Sequence, residues 1–83
     1  MRKLVFGDRA SADLAALDRS TRVRIIAAIQ RMALTGAGDV KKLQGIDPPE
    51  YRLRAGDWRV RFSRPDQDTV RINRVQNRKD AYR

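Results

Sequence analysis

From Tyr51 onward, apolar and cationic residues alternate with a period of two, a pattern that fits strands burying one face and leaving the other wet. Trp58, Val60 and Phe62 oppose Arg59 and Arg61, and Val70 and Ile72 oppose Arg71 and Asn73. Before them, Tyr51 and Leu53 oppose Arg52 and Arg54. Ala55-Gly56-Asp57 reads as a tight turn and Arg64-Pro65-Asp66-Gln67-Asp68 as a second, so the three strands are predicted to form an antiparallel meander. Val75 departs from strict alternation, which predicts either a bulge or the strand's end. The face that Tyr51 and Leu53 join depends on pairing register, because a slip of one residue inverts it.

The first half has a different period. Lys3-Leu4-Val5-Phe6, bounded by Gly7, reads as a first strand. Asp8 or Ser11 could cap a short helix carrying Ala12, Leu14, Ala15, Ala16 and Leu17, and Asp18 to Ser20 offer a second cap. Val23, Ile26, Ile29 or Gln30, and Ala33 then recur at helical spacing, with Arg22, Arg24 and Arg31 on the other side. This longer helix should stop at Thr35-Gly36-Ala37-Gly38. Asp39 to Pro49, with Leu43 as its one anchor and two adjacent prolines, reads as a loop. The expectation is therefore a single α+β domain over residues 1–83: an N-terminal strand, a two-helix hairpin and a three-stranded antiparallel meander.

Such a meander turns Trp58, Val60, Phe62, Val70 and Ile72 toward the helices and arginines away from them. The chain has 19 basic residues, 15 Arg and 4 Lys, against 10 acidic ones, for a net charge of +9. Arginine presents a planar fork of donors that grips phosphate in bidentate fashion, so an excess of this kind points to a polyanion, RNA in particular. Like charges crowded on one sheet face repel, and a bound anion relieves them. The plainer alternative is a merely solvated surface; that would be expected to mix in glutamate, yet Glu50 is the only one.

Composition also removes function classes. With no cysteine there is no disulfide scaffold or thiolate metal site, and with no histidine the commonest metal ligand and the commonest acid/base group are both missing. Neither metal nor cofactor is expected. No apolar run approaches bilayer length, and no membrane partner is expected; the chain reads as soluble and cytoplasmic.

Three stretches together carry a resemblance: Leu43-Gln44-Gly45, then Tyr51-Arg52-Leu53-Arg54-Ala55-Gly56-Asp57-Trp58-Arg59-Val60-Arg61-Phe62, then Asn77-Arg78-Lys79-Asp80-Ala81-Tyr82-Arg83. This pattern resembles the RelE group of the RelE/ParE toxin superfamily and spans nearly the whole chain. The resemblance implies the same β-α-α-β-β-β architecture and a type II toxin that cleaves mRNA in the ribosomal A site. It also implies a cognate antitoxin and a toxin–antitoxin hetero-oligomer. Arg59 matches the family's strand arginine at the scissile region, Arg78 the arginine after the last strand, and Tyr82 the C-terminal tyrosine. Arg52 stands where well-studied members carry a catalytic lysine, Glu50 near where they carry another, and Asn77 where a histidine is common.

RNA cleavage by the substrate's own 2′-hydroxyl needs no metal. Arg59 and Arg78, neither expected in the core, would stabilise charge developing on the phosphoryl oxygens. Arg54, Arg61, Arg71, Lys41, Lys42 and Lys79 would hold phosphates along the strand. The proton acceptor stays open among Tyr82, Glu50, Asp57 and Asp80, since arginine hardly titrates. Tyr82 has two further readings, a base-stacking ring and a C-terminal anchor. Trp58 shares parity with Val60 and Phe62 and is expected in the core, while Gly56-Asp57 reads as turn chemistry. A DNA gyrase inhibitor of ParE type and a non-catalytic nucleic-acid-binding module are the alternative functions.

Overall fold

The computed structural model describes residues 2–80. Along the chain run β1 (Lys3–Phe6), α1 (Asp8–Ala15), α2 (Arg19–Thr35), β2 (Asp39–Lys42), β3 (Tyr51–Ala55), β4 (Trp58–Asp66) and β5 (Thr69–Asn77). They build one five-stranded sheet in the order β1-β5-β4-β3-β2, in which β1 pairs parallel with β5 and the other neighbours pair antiparallel. The helical hairpin links β1 to the meander, as the change of period predicts.

Each helix boundary has a chemical cause. Asp18 caps α2: its carboxylate accepts the Thr21 N–H at 3.1 Å and the Thr21 hydroxyl, and the helix ends at Gly36 in the left-handed conformation. α1 begins earlier than Ser11 would place it. Gly7 is its N-cap, the Gly7 carbonyl accepts from the Ser11 N–H at 3.0 Å, and Asp8 lies in the first turn, where a negative charge faces free N–H groups. At the other end Arg22 donates to the carbonyls of Leu14 at 3.4 Å and Leu17 at 3.1 Å, closing the step from α1 to α2.

The core is a two-layer sandwich of helix and sheet side chains. Ala10 and Leu14 from α1 and Ile25, Ile29, Met32 and Ala33 from α2 meet Leu53, Val60, Phe62, Val70, Ile72 and Val75 from the sheet. Trp58 packs against this cluster, as its parity predicts. The buried stripe of α2 is Ile25, Ile29, Met32 and Ala33; Val23, expected on it, is 57% exposed. Both sets have helical spacing, and only the direction from which the sheet approaches separates them.

Two departures concern strands. Asp39–Lys42, read as loop, is an edge strand paired with β3 from Asp39↔Arg54 to Lys42↔Tyr51. All four of its residues are exposed and only Val40 is apolar, so no alternation announces it. Lysines on such an edge discourage pairing with a second sheet. Beyond it the Leu43 N–H donates to the Glu50 carbonyl at 2.9 Å, which closes the proline-bearing segment into a loop. At Val75 the bulge is the outcome: Arg61 pairs with Arg74 but Phe62 with Ile72, leaving Asn73 without a partner, and β5 continues to Asn77.

Candidate nucleic-acid interface

The register of β3 on β4 settles the open question of faces. Tyr51 pairs with Phe62 and Leu53 with Val60, so both belong to the apolar side; the Tyr51 and Phe62 rings stack with centroids 5.4 Å apart. Arg52 therefore stands directly opposite Arg61, and Arg54 opposite Arg59. The two pairs form rows roughly 7 Å apart along the strands, at about 3.4 Å per residue. β2 extends the rows with Lys41 beside Arg52 and Asp39 beside Arg54. Lys42 pairs with Tyr51 and so points to the opposite face, which leaves only Lys41 of the two lysines beside the arginine rows.

Few carboxylates answer this charge. Asp39 approaches Arg52 at 3.8 Å and Arg54 at 3.9 Å. Glu50 accepts from the Arg61 guanidinium and, at 3.0 Å, from the Asn73 amide, which also reaches the Ser63 hydroxyl at 3.4 Å. Among the described residues, the Nε atoms of Arg52, Arg59 and Arg61 are buried without any hydrogen-bond partner. A buried donor left unsatisfied is costly, which sets these three Nε–H groups apart from the paired donors of the sheet's arginines.

Arg59 departs from expectation. It is only 5% exposed, with its Nη1 donating to the carbonyls of Gly56 at 2.9 Å and Trp58 at 3.1 Å. Its guanidinium thus braces the β3–β4 turn, where Gly56 at φ +59° supplies the left-handed conformation of a two-residue hairpin loop. Arg78 is exposed, as expected, and its backbone N–H donates to the Asp57 carbonyl of that turn at 2.8 Å. Arg78 is thereby tied to the same turn that Arg59 braces. Arg24 on α2 reaches the same turn: its Nη2 lies 3.9 Å from where a Cβ on Gly56 would sit. Lys79 is exposed, and its N–H bonds the Asn77 side-chain oxygen at 3.1 Å, so Asn77 acts here in turn formation.

Other predicted contacts separate from this cluster. Arg71 lies on the stretch of β5 paired with β1, its guanidinium 3.3 Å from a Cβ built on Gly7. Of the candidate proton acceptors, Asp57 and Asp80 flank Arg78, whereas Glu50 precedes Tyr51 at the far end of the rows. That puts Glu50 about 14 Å from the level of Arg59, at about 3.4 Å per residue. Tyr82 lies outside the described residues.

Some polar groups at the site carry no sequence signal. Asp13 on α1 takes both the Arg74 Nε and the Val75 N–H at 2.9 Å, covering the edge of β5 where β1 has ended. In the sequence it is one more acidic residue on a helix. Asn73 and Ser63 matter only because the bulge aims Asn73 at Glu50.

Comparison with known proteins agrees over almost the whole length. The family model described as ParE toxin of type II toxin-antitoxin system, parDE, matches residues 4–82. No curated protein sequence matches the chain. Among solved structures it is similar to the RelB-RelE antitoxin-toxin complex from Methanococcus jannaschii, with 27% identity, TM-score 0.74 and coverage of 94% of both chains. The archaeal RelE-RelB complex from Pyrococcus horikoshii OT3 is similar in fold, with 21% identity, TM-score 0.75 and coverage of 96% of this chain and 98% of that one. The toxin-antitoxin complex RelBE2 from Mycobacterium tuberculosis aligns at 25% identity and TM-score 0.64, over 92% of this chain and 96% of that one.

Proposed function

The chain belongs to the ParE toxin family of type II toxin-antitoxin systems, within the RelE/ParE superfamily, and from that premise we propose that it cleaves ribosome-bound mRNA. The observation that carries this reading is the double row of arginines, Arg52 with Arg61 and Arg54 with Arg59, in which three buried Nε donors lack an acceptor. A phosphodiester supplies acceptors of the right charge and geometry.

The substrate 2′-oxygen attacks the adjacent phosphorus, the P–O5′ bond breaks, and the products are a 2′,3′-cyclic phosphate and a 5′-hydroxyl. One proton leaves the 2′-hydroxyl and one reaches the departing 5′-oxygen. Arg54 and Arg78 stabilise the charge that builds on the phosphoryl oxygens, while Arg59 holds the turn between them through its bonds to the Gly56 and Trp58 carbonyls. Asp57, Asp80 and Tyr82, grouped by sequence or structure around Arg78, are the groups that exchange protons with the two ribose oxygens. The ribosomal A site positions the mRNA, and Lys41 and Lys79 hold its backbone, in the cytoplasm where ribosomes work. By analogy with the RelB-RelE complexes, an acidic cognate antitoxin covers the basic surface and keeps the toxin silent.

The matching family's description as ParE toxin favours a second reading, for which we propose inhibition of DNA gyrase by protein binding. Inducible expression with separate pulse labelling of protein and DNA synthesis discriminates the two. Rapid arrest of translation with replication continuing is expected; replication arrest with an SOS response and continuing translation would overturn the nuclease reading.

A further inference from the structure

Glu50 sits at the end of the arginine rows, and its surroundings are built to hold it there. Its backbone carbonyl closes the preceding loop through the Leu43 N–H, and its carboxylate is bound on one oxygen by Arg61 and on the other by Asn73. Asn73 is available for this only because the β5 bulge frees it from the ladder. The Glu50 side chain is 18% exposed, in a chain of net charge +9. Taking a carboxylate this far out of water is costly unless it neutralises a charge that would otherwise stand alone. Here that charge is Arg61, directly opposite Arg52, and both keep a buried Nε without an acceptor.

We propose that Arg52 and Arg61 form a second phosphate position, one row along the strands from Arg54 and Arg59, and that the Glu50 carboxylate occupies it as an internal counter-ion until nucleic acid displaces it. The proposal rests on the RNA reading of the arginine face. The two rows lie roughly 7 Å apart by strand geometry, comparable to the interval between successive phosphates of an extended single strand. A row per phosphate follows. In the free protein, Glu50 relieves the repulsion between facing arginines. In the complex, a phosphate takes over that task, and the exchange makes the second contact conditional on the first. The face therefore selects a strand that already engages the Arg54–Arg59 row over isolated anions.

The test measures binding of a non-cleavable 2′-O-methyl RNA ten-mer by fluorescence anisotropy over a salt series, for wild type, Glu50→Gln and Glu50→Gln/Arg61→Met. Glutamine keeps the shape and an oxygen for Asn73. Freeing Arg61 adds one phosphate contact that needs no displacement, so Glu50→Gln should bind several-fold tighter, with a log K against log salt slope steeper by about 0.7. The gain should vanish in the double variant. The free Glu50→Gln protein should melt at lower temperature than wild type and gain more from RNA. A wild type that binds with a clear salt slope, beside a Glu50→Gln variant of unchanged slope, would overturn the counter-ion role and leave the RNA reading standing. A wild type without salt-dependent RNA binding would overturn both. If Glu50→Gln does not fold, the Nε–H resonances of Arg52 and Arg61 in the wild type decide: displacement on RNA addition moves both, and two unmoved signals contradict the proposal.

Discussion

The residue whose role changes most between sequence and structure is Arg59. By parity it belongs to an open cationic face, yet it is almost fully buried and donates to two carbonyls of its own hairpin. Arg59→Ala therefore leaves the Gly56 and Trp58 carbonyls without this donor, at a cost of about 1–3 kcal/mol in stability besides any catalytic loss. Arg78 is exposed and held by its backbone, so Arg78→Ala should melt like wild type while losing on the order of 10²-fold in cleavage. Thermal melts beside single-turnover cleavage separate the two; equal melting of both variants would contradict the bracing role of Arg59. That Arg52 shares a face with Arg54, and Arg59 with Arg61, was legible in the sequence because alternation fixes it within a strand, whereas the joining of the two pairs into one face came only with the β3–β4 register. Their partners were not: Asp39 meets Arg52 and Arg54 through an unsignalled edge strand, and the Glu50 that meets Arg61 is held by an Asn73 freed by a bulge.

At the scale of elements, boundaries marked by local chemistry were readable and those set by tertiary pairing were not. The Asp18 cap and the glycine stop of α2 are local, and both stand where the sequence puts them. β2 forms because β3 offers it a ladder, and its own residues say little. The cap makes a pH prediction. The Thr21 hydroxyl, and then its N–H, hold the Asp18 carboxyl below its ordinary value of 3.8, since both bond the ionised form. Its stabilisation is full above that ordinary value and fades as pH falls through the lower folded value. In Asp18→Ala the melting midpoint should be lower at neutral pH, and the gap to wild type should narrow below about pH 4 as the wild-type cap protonates. A gap constant down to strong acid would contradict this. Two glycines grade the turns. Gly56→Ala meets nothing closer than Arg24 at 3.9 Å and should cost about 1–2 kcal/mol for its left-handed backbone. Gly38→Ala, at φ +135°, places a Cβ 2.9 Å from the buried Leu53 Cδ1, so chemical denaturation should rank it the more destabilising.

For the molecule as a whole, one small core of helix and sheet side chains carries a surface of net charge +9. Self-repulsion on that surface opposes compaction, and salt screens it over about 10 Å at 0.1 M. The melting midpoint of the free protein should therefore rise between low and moderate salt, and a falling midpoint would show that its ion pairs outweigh the repulsion. On the proposed reading, the arginine rows and the Arg78 turn form an RNA-cutting site. The most direct test incubates purified protein with ribosomes programmed with a defined mRNA and maps the cleaved ends. Breaks confined to the A site, ending in a 2′,3′-cyclic phosphate and strongly reduced by Arg78→Ala, are the predicted result. Intact mRNA, together with loss of gyrase supercoiling on adding the same protein, would contradict it.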